Sequence, residues 1–147
     1  MALISNEVIQ ADFIAVLKAY ATLTALLSSG ASGVKEDQYQ GKNIGFPAVR
    51  YNLIDQRPYN EREQCTHSIL GFSIRCYAEG ASSKMADQVA GVVVGFLHRR
   101  NIQGTGWYGF VRAINTNGAV HITEDLWMTE AYFQANVYPA DRGADYG

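Results

Sequence analysis

From Thr66 to Tyr77 the chain alternates: Leu70, Phe72, Ile74 and Cys76 fall on one side, and Gly71, Ser73, Arg75 and Tyr77 on the other. A period of two puts successive side chains on opposite faces of a β-strand, so one face of the sheet it joins is apolar and has to be covered. The opposite face carries polar, aromatic and charged groups and can be left open. This stretch therefore asks for a sheet with a second layer on one side only.

Two helical patterns can supply that layer. Ser5-Asn6-Glu7 is N-cap chemistry with an acid in the first turn, and Ile9, Phe13, Val16, Leu17, Tyr20, Leu23 and Leu27 then repeat with helical spacing over residues 6–28. Ser28-Ser29-Gly30-Ala31-Ser32-Gly33 ends the pattern. A second helix is expected after Gly80-Ala81-Ser82-Ser83, with Met85, Val89, Val92, Val93, Phe96 and Leu97 as its apolar positions. His98-Arg99-Arg100 places positive charge at the negative end of its dipole, a sufficient local reason for that basic cluster.

Further strands are expected at Phe46–Ile54, where Pro47 is tolerated at the start, at Trp107–Asn115, and at Trp127–Tyr138. Asn117-Gly118 is a type I′ hairpin signal, followed by a short extended piece through Val120 and Ile122. Residues 55–64 are charged and turn-forming, which predicts the tip of a long, projecting β-hairpin. The polar stretch from Lys35 to Gly45 reads as a short edge strand or a loop, and Ala140 to Gly147 as a flexible tail. The expectation is one α+β domain over residues 1–139: an antiparallel sheet of about four strands with two helices packed on one face.

Composition narrows the function classes. A chain of 147 residues with 48% hydrophobic and 18% charged residues fits one folded domain. Its formal charge of -2 does not suit binding by neutralisation of many phosphates. The apolar stretches are broken well before the ~20 residues needed to cross a bilayer, and no secretory leader is read, so a soluble cytoplasmic chain is expected. Cys65 and Cys76 lie on what reads as one strand, too far apart at ~3.3 Å per residue to bridge, and are read as free thiols.

No catalytic, cofactor or metal site is expected. Cys65-Thr66-His67 lacks the second short-spaced ligand pair of a structural zinc site. His121, Glu124 and Asp125 read as a solvated turn, although an enzyme could be built if His67, His121, Glu124 and a cysteine met in one cleft. Gly104-Thr105-Gly106 is followed by a strand rather than a helix and is a turn, and Gly91-x-x-x-Gly95 reads as helix-on-sheet packing or a subunit contact. More informative is the open sheet face, to which Tyr51, Tyr77, Tyr108, Tyr132 and Tyr138 are assigned with Arg50, Arg75 and Arg112. Tyrosine and arginine are enriched in interface hot spots, and nine tyrosines without a catalytic constellation favour a protein-binding surface.

The order of elements carries a resemblance. It comprises the N-terminal helix, the strand opening Phe46-Pro47-Ala48-Val49, the charged hairpin, the strand from Leu70 to Tyr77, the helix Ala86-Asp87-Gln88-Val89-Ala90 leading to Phe96-Leu97, and a last strand from Asp125-Leu126-Trp127. Over residues 6–139 this resembles the tail terminator, or tail completion, proteins of long-tailed bacteriophages. The segment from Lys35 to Gly45 and the tail after Ala140 depart from the pattern.

The resemblance implies a structural, non-enzymatic virion protein, assembled in the host cytoplasm and placed at the tail–neck junction. There it would form a ring, commonly a hexamer, that caps the tail tube and joins it to the head completion or connector protein, with DNA passing through the lumen. A closed ring needs two different patches per subunit. Expected contributors are Arg57, Tyr59, Glu61, Arg62 and Glu63 of the hairpin, with Tyr77 and Tyr132 of the sheet face. The tail from Ala140 to Gly147 or the segment from Lys35 to Gly45 is expected to order only on docking to the tail tube or the head side. The competing readings are a head completion or stopper subunit and a small cytoplasmic α+β enzyme.

Overall fold

A computed structural model describes residues 5–28, 30–36, 46–58, 67–80, 82–123 and 125–139. Ser5 caps helix α1 (Asn6–Lys18), its hydroxyl accepting from the Glu7 N–H at 3.2 Å. The expected single helix over residues 6–28 is instead two: the chain leaves helical geometry at Tyr20 and resumes as α2 (Ala21–Thr24). Tyr20 stacks on Phe96 with ring centroids 4.0 Å apart, and threonine-rich Ala21–Thr24 has little intrinsic reason to extend a helix. A 3₁₀ turn (Gly30–Gly33) then delivers β1 (Val34–Glu36).

The remaining elements are β2 (Ala48–Pro58), β3 (Ser68–Glu79), α3 (Lys84–Leu97), β4 (Arg100–Gln103), β5 (Trp107–Thr116), β6 (Val120–Thr123) and β7 (Leu126–Pro139). The sheet has seven strands, not about four, in the order β1-β2-β3-β7-β5-β4, with β6 paired to β7. The four long strands are those expected. The additional ones span only three or four residues each: β6 is the short extended piece expected through Val120 and Ile122, and β1 and β4 are too short for a period of two to register. β1 runs parallel to β2, so the sheet is mixed rather than purely antiparallel. β2 also continues past Ile54 to Pro58, into the charged stretch read as turn. The antiparallel β2–β3 pair is present, but the connection between them, and with it any projection of a hairpin tip, lies outside the described residues.

Both longer helices lie on one face. Phe13 of α1 meets Phe72, Tyr51 and Trp107 with centroids 4.6, 5.8 and 5.7 Å away. Asp87 of α3 accepts from the Thr129 hydroxyl at 2.8 Å, and Thr129 pairs with Cys76 on the same face as Phe72. Ala86, Val89, Ala90, Val93 and Leu97 form the buried side of α3. Gly91 and Gly95 are on its exposed side, so they do not serve helix-on-sheet packing.

Candidate assembly surface

The face without helices is built from alternate residues of four strands. Strand register aligns Arg50 with Arg75 and Glu130, Asn52 with Ser73 and Tyr132, and Asp55 with Gly71, Gln134 and Arg112. At its centre the Glu130 carboxylate is buried yet fully engaged. The Ser73 hydroxyl donates to Oε2 at 2.6 Å, Arg75 Nε donates to the same oxygen at 2.9 Å, and the Tyr132 hydroxyl donates to Oε1 at 2.9 Å. Burial alone raises a carboxyl pKa, but these three donors and the Arg75 charge outweigh it and hold Glu130 below its ordinary value. Tyr132 shifts upward, mainly because its proton is held by Glu130. The network is thus an ion pair locked by hydrogen bonds, a rigid polar centre without a poised general base.

One margin of the face is apolar. Tyr108, Phe110, Ile114, Val120 and Ile122 of β5 and β6 are 41, 37, 54, 49 and 46% exposed. Isolated exposed hydrophobics are ordinary, whereas several along one margin make a candidate contact surface. Across the sheet, on β2, Ile54 is 52% exposed. Ile54 and Ile114 are both thrust out by β-bulges, where the register shifts between Leu53 and Asp55 and between Ala113 and Asn115. At the end of the face, Tyr138 stacks on Tyr108 and His67 with centroids 5.2 and 4.1 Å away.

The assigned surface residues divide. Tyr77, Tyr108, Tyr132, Tyr138, Arg75 and Arg112 are on the open face. Tyr51 is not: it is buried in the core against Phe13 and Phe72, because Arg50 and Asn52 rather than Tyr51 occupy the outward positions of β2. Burial drives its phenol pKa upward. Arg50 is outward but buried, donating to the carbonyls of Gly33 and Val49 at 2.9 Å each. Arg57 is exposed, opposite Ile69. Tyr59, Glu61, Arg62 and Glu63 lie outside the described residues, as do Glu124, Cys65, the segment 37–45 and the tail 140–147.

Of the residues weighed for catalysis, His67 and His121 do not meet. His67 stacks on Tyr138 and His121 on Trp127, at opposite ends of β7, roughly 35 Å apart at ~3.3 Å per residue. Burial lowers the His67 pKa, while Cys76 is completely buried with its thiol pKa pushed up, which leaves little thiolate. Among the described residues no three His, Cys, Asp or Glu side chains are grouped to hold a metal ion, and no helix is long and apolar enough to cross a membrane. In the basic cluster, Arg100 donates from Nε to the Phe96 carbonyl at 2.7 Å and lies 4.1 Å over the Phe96 ring, capping α3. Sequence patterning missed the two bulges, which break alternation by a single residue, and the burial of Glu130, which only three-dimensional partners make tolerable.

Solved structures share this fold. A chain of the virion of a native gene transfer agent particle superposes with a TM-score of 0.74 at 20% identity, covering 90% of this chain and 98% of that one. A second solved chain gives a TM-score of 0.66 at 16% identity, covering 92% of this chain and 99% of that one. No family model and no curated protein matches the sequence.

Proposed function

We propose that this chain is a structural protein of a phage-like virion, a tail terminator that closes into a ring, of six subunits as the family resemblance implies, at the junction of tail tube and neck. The observation that carries this reading is the fold shared, over 90% of this chain, with a chain of a gene transfer agent virion. The open sheet face supports it, because a preorganised polar centre beside an exposed apolar margin suits contact with other proteins. The distance of His67 from His121 favours it over the enzyme reading, which needed the two in one cleft.

In this assignment the partners are further copies of the chain, the tail tube protein and the head completion or connector protein, with DNA passing through the lumen without sequence readout. The near-neutral charge of -2 suits a wall along which a polyanion slides. The arm from Arg57 through Tyr59, Glu61, Arg62 and Glu63 is assigned to the neighbouring subunit, with Tyr77 and Tyr132 on the sheet. Light scattering after deletion of residues 59–64 tests the arm, an unchanged oligomer counting against it.

The deciding experiment is electron microscopy of the purified protein, alone and mixed with tail tubes or with portal-bearing heads. Rings with a pore wide enough for duplex DNA, seated on tube ends, are expected. Rings that bind heads and ignore tubes would move the protein to the stopper position. A chain that stays monomeric and binds neither overturns the reading.

A further inference from the structure

The two bulges of the open face stand in register with each other across the sheet. Leu53 pairs with Phe72, Phe72 with Phe133, and Phe133 with Ala113, so each bulge begins at an end of one transverse row. The adjacent row runs from Asp55 through Gly71 and Gln134 to Arg112, an acid at one end and a base at the other. Among the described residues, β1 pairs with Val49–Tyr51 of β2 and β4 with Tyr108–Val111 of β5, so neither short strand reaches the row ends. Each edge therefore presents, at the same height, an exposed isoleucine beside an exposed charge: Ile54 with Asp55, and Ile114 with Arg112.

We propose that these are the two halves of a subunit contact, in which the Ile54–Asp55 bulge of one copy packs against the Ile114–Arg112 bulge of the next. The inference rests on the ring reading and names its interface. A head-to-tail ring joins one patch of each subunit to a different patch of its neighbour. Here the sheet's own register sets both patches level, and their charges are opposite, which is the complementarity that selects a second copy as the occupant. The bulges also disfavour continuous strand pairing, because each interrupts the hydrogen-bonding edge, so the contact is made by side chains. In the isolated chain, Asp55 leans over Gly71, where a Cβ would meet its Oδ1, and Arg112 donates to Gln134 Oε1 at 3.0 Å. Assembly requires each to turn outward toward the other.

The test is a charge swap read by light scattering and sedimentation over a concentration series. Asp55→Arg and Arg112→Asp should each weaken assembly by about tenfold or more, and the double swap should return it to within about threefold of wild type. Ile54→Gln and Ile114→Gln, which add no charge, should weaken it as well, with the thermal melt of each variant establishing that it is folded. An oligomeric wild type with unmoved single variants, or a double swap as defective as the singles, overturns this contact and leaves the ring standing. A wild type monomeric at every concentration overturns the ring and the contact together.

Discussion

The carboxylate of Asp12, on α1, accepts the indole N–H of Trp107, on β5, at 2.6 Å, although the two residues are far apart in sequence. Asp12 also accepts the Thr105 N–H at 2.8 Å and the Thr105 hydroxyl at 2.9 Å, so one side chain ties the first helix to the β4–β5 turn. Trp107 is completely buried, and its N–H would be left unpaired without this partner. Asp12→Ala is expected to cost about 2 kcal/mol, lowering the melting temperature by roughly 5 °C, and Asp12→Asn less, because an amide oxygen still accepts. Calorimetry of the two variants checks the order.

Glu130 predicts an acid-dependent part of the stability. Its folded pKa lies below the ordinary value of 4.5, so the folded state favours the carboxylate. That contribution is present above the unfolded pKa and is lost as pH falls through the folded value. Glu130→Gln should therefore be less stable than wild type at neutral pH, by about 1 to 2 kcal/mol given the partial exposure of Arg75. The gap should close as pH falls below the ordinary carboxyl range. Urea denaturation at a series of pH values measures it, and a gap constant with pH would contradict the network described.

How much of this was legible in the sequence depends on the range of the interaction. Ser5 capping α1, the apolar stripe of α3 and the alternation of β3 and β7 are local patterns, and each folds as its residues suggest. Tyr51 shows the limit. Between Arg50 and Asn52 it reads equally well as an outward aromatic, and only the stacking of Phe13 from α1 and Phe72 from β3 decides that it goes in. The candidate surface was legible as a face, through Tyr77 and Tyr132, but not as a pair of edges. Ile54 and Ile114 each look like one more strand residue until the pairing with β3 and β7 exposes the register shifts.

Gly109 should resist substitution although its strand is regular. A Cβ there would strike the Asn136 carbonyl and sit 3.2 Å from Trp107 Cζ3. Neither neighbour is a flexible side-chain end: one is the backbone of the paired strand, the other a buried indole. Gly109→Ala is expected to destabilise by about 3 kcal/mol. Gly91→Ala, on the exposed side of α3 with nothing near its Cβ, should instead stabilise by about 0.5 to 1 kcal/mol. Chemical denaturation of the pair gives opposite signs if the packing is as described.

Cys76 offers a probe of how the core opens. Its side chain is completely buried between helix and sheet, and burial raises the thiol pKa, so both access and thiolate formation are suppressed in the native state. In a Cys65→Ser background it is the remaining cysteine of the chain. Because β3 is central and pairs along its length with β2 and β7, exposing Cys76 requires the sheet to come apart rather than an edge to fray. Reaction with an aromatic disulfide reagent should therefore be at least ~10³-fold slower than for a free thiol in buffer, for a domain stable by ~5 kcal/mol or more, and immediate in denaturant. The logarithm of the rate should rise in Asp12→Ala in proportion to its lost stability, since both report the same global opening. Fast labelling of the folded protein would instead place Cys76 near a surface that opens locally.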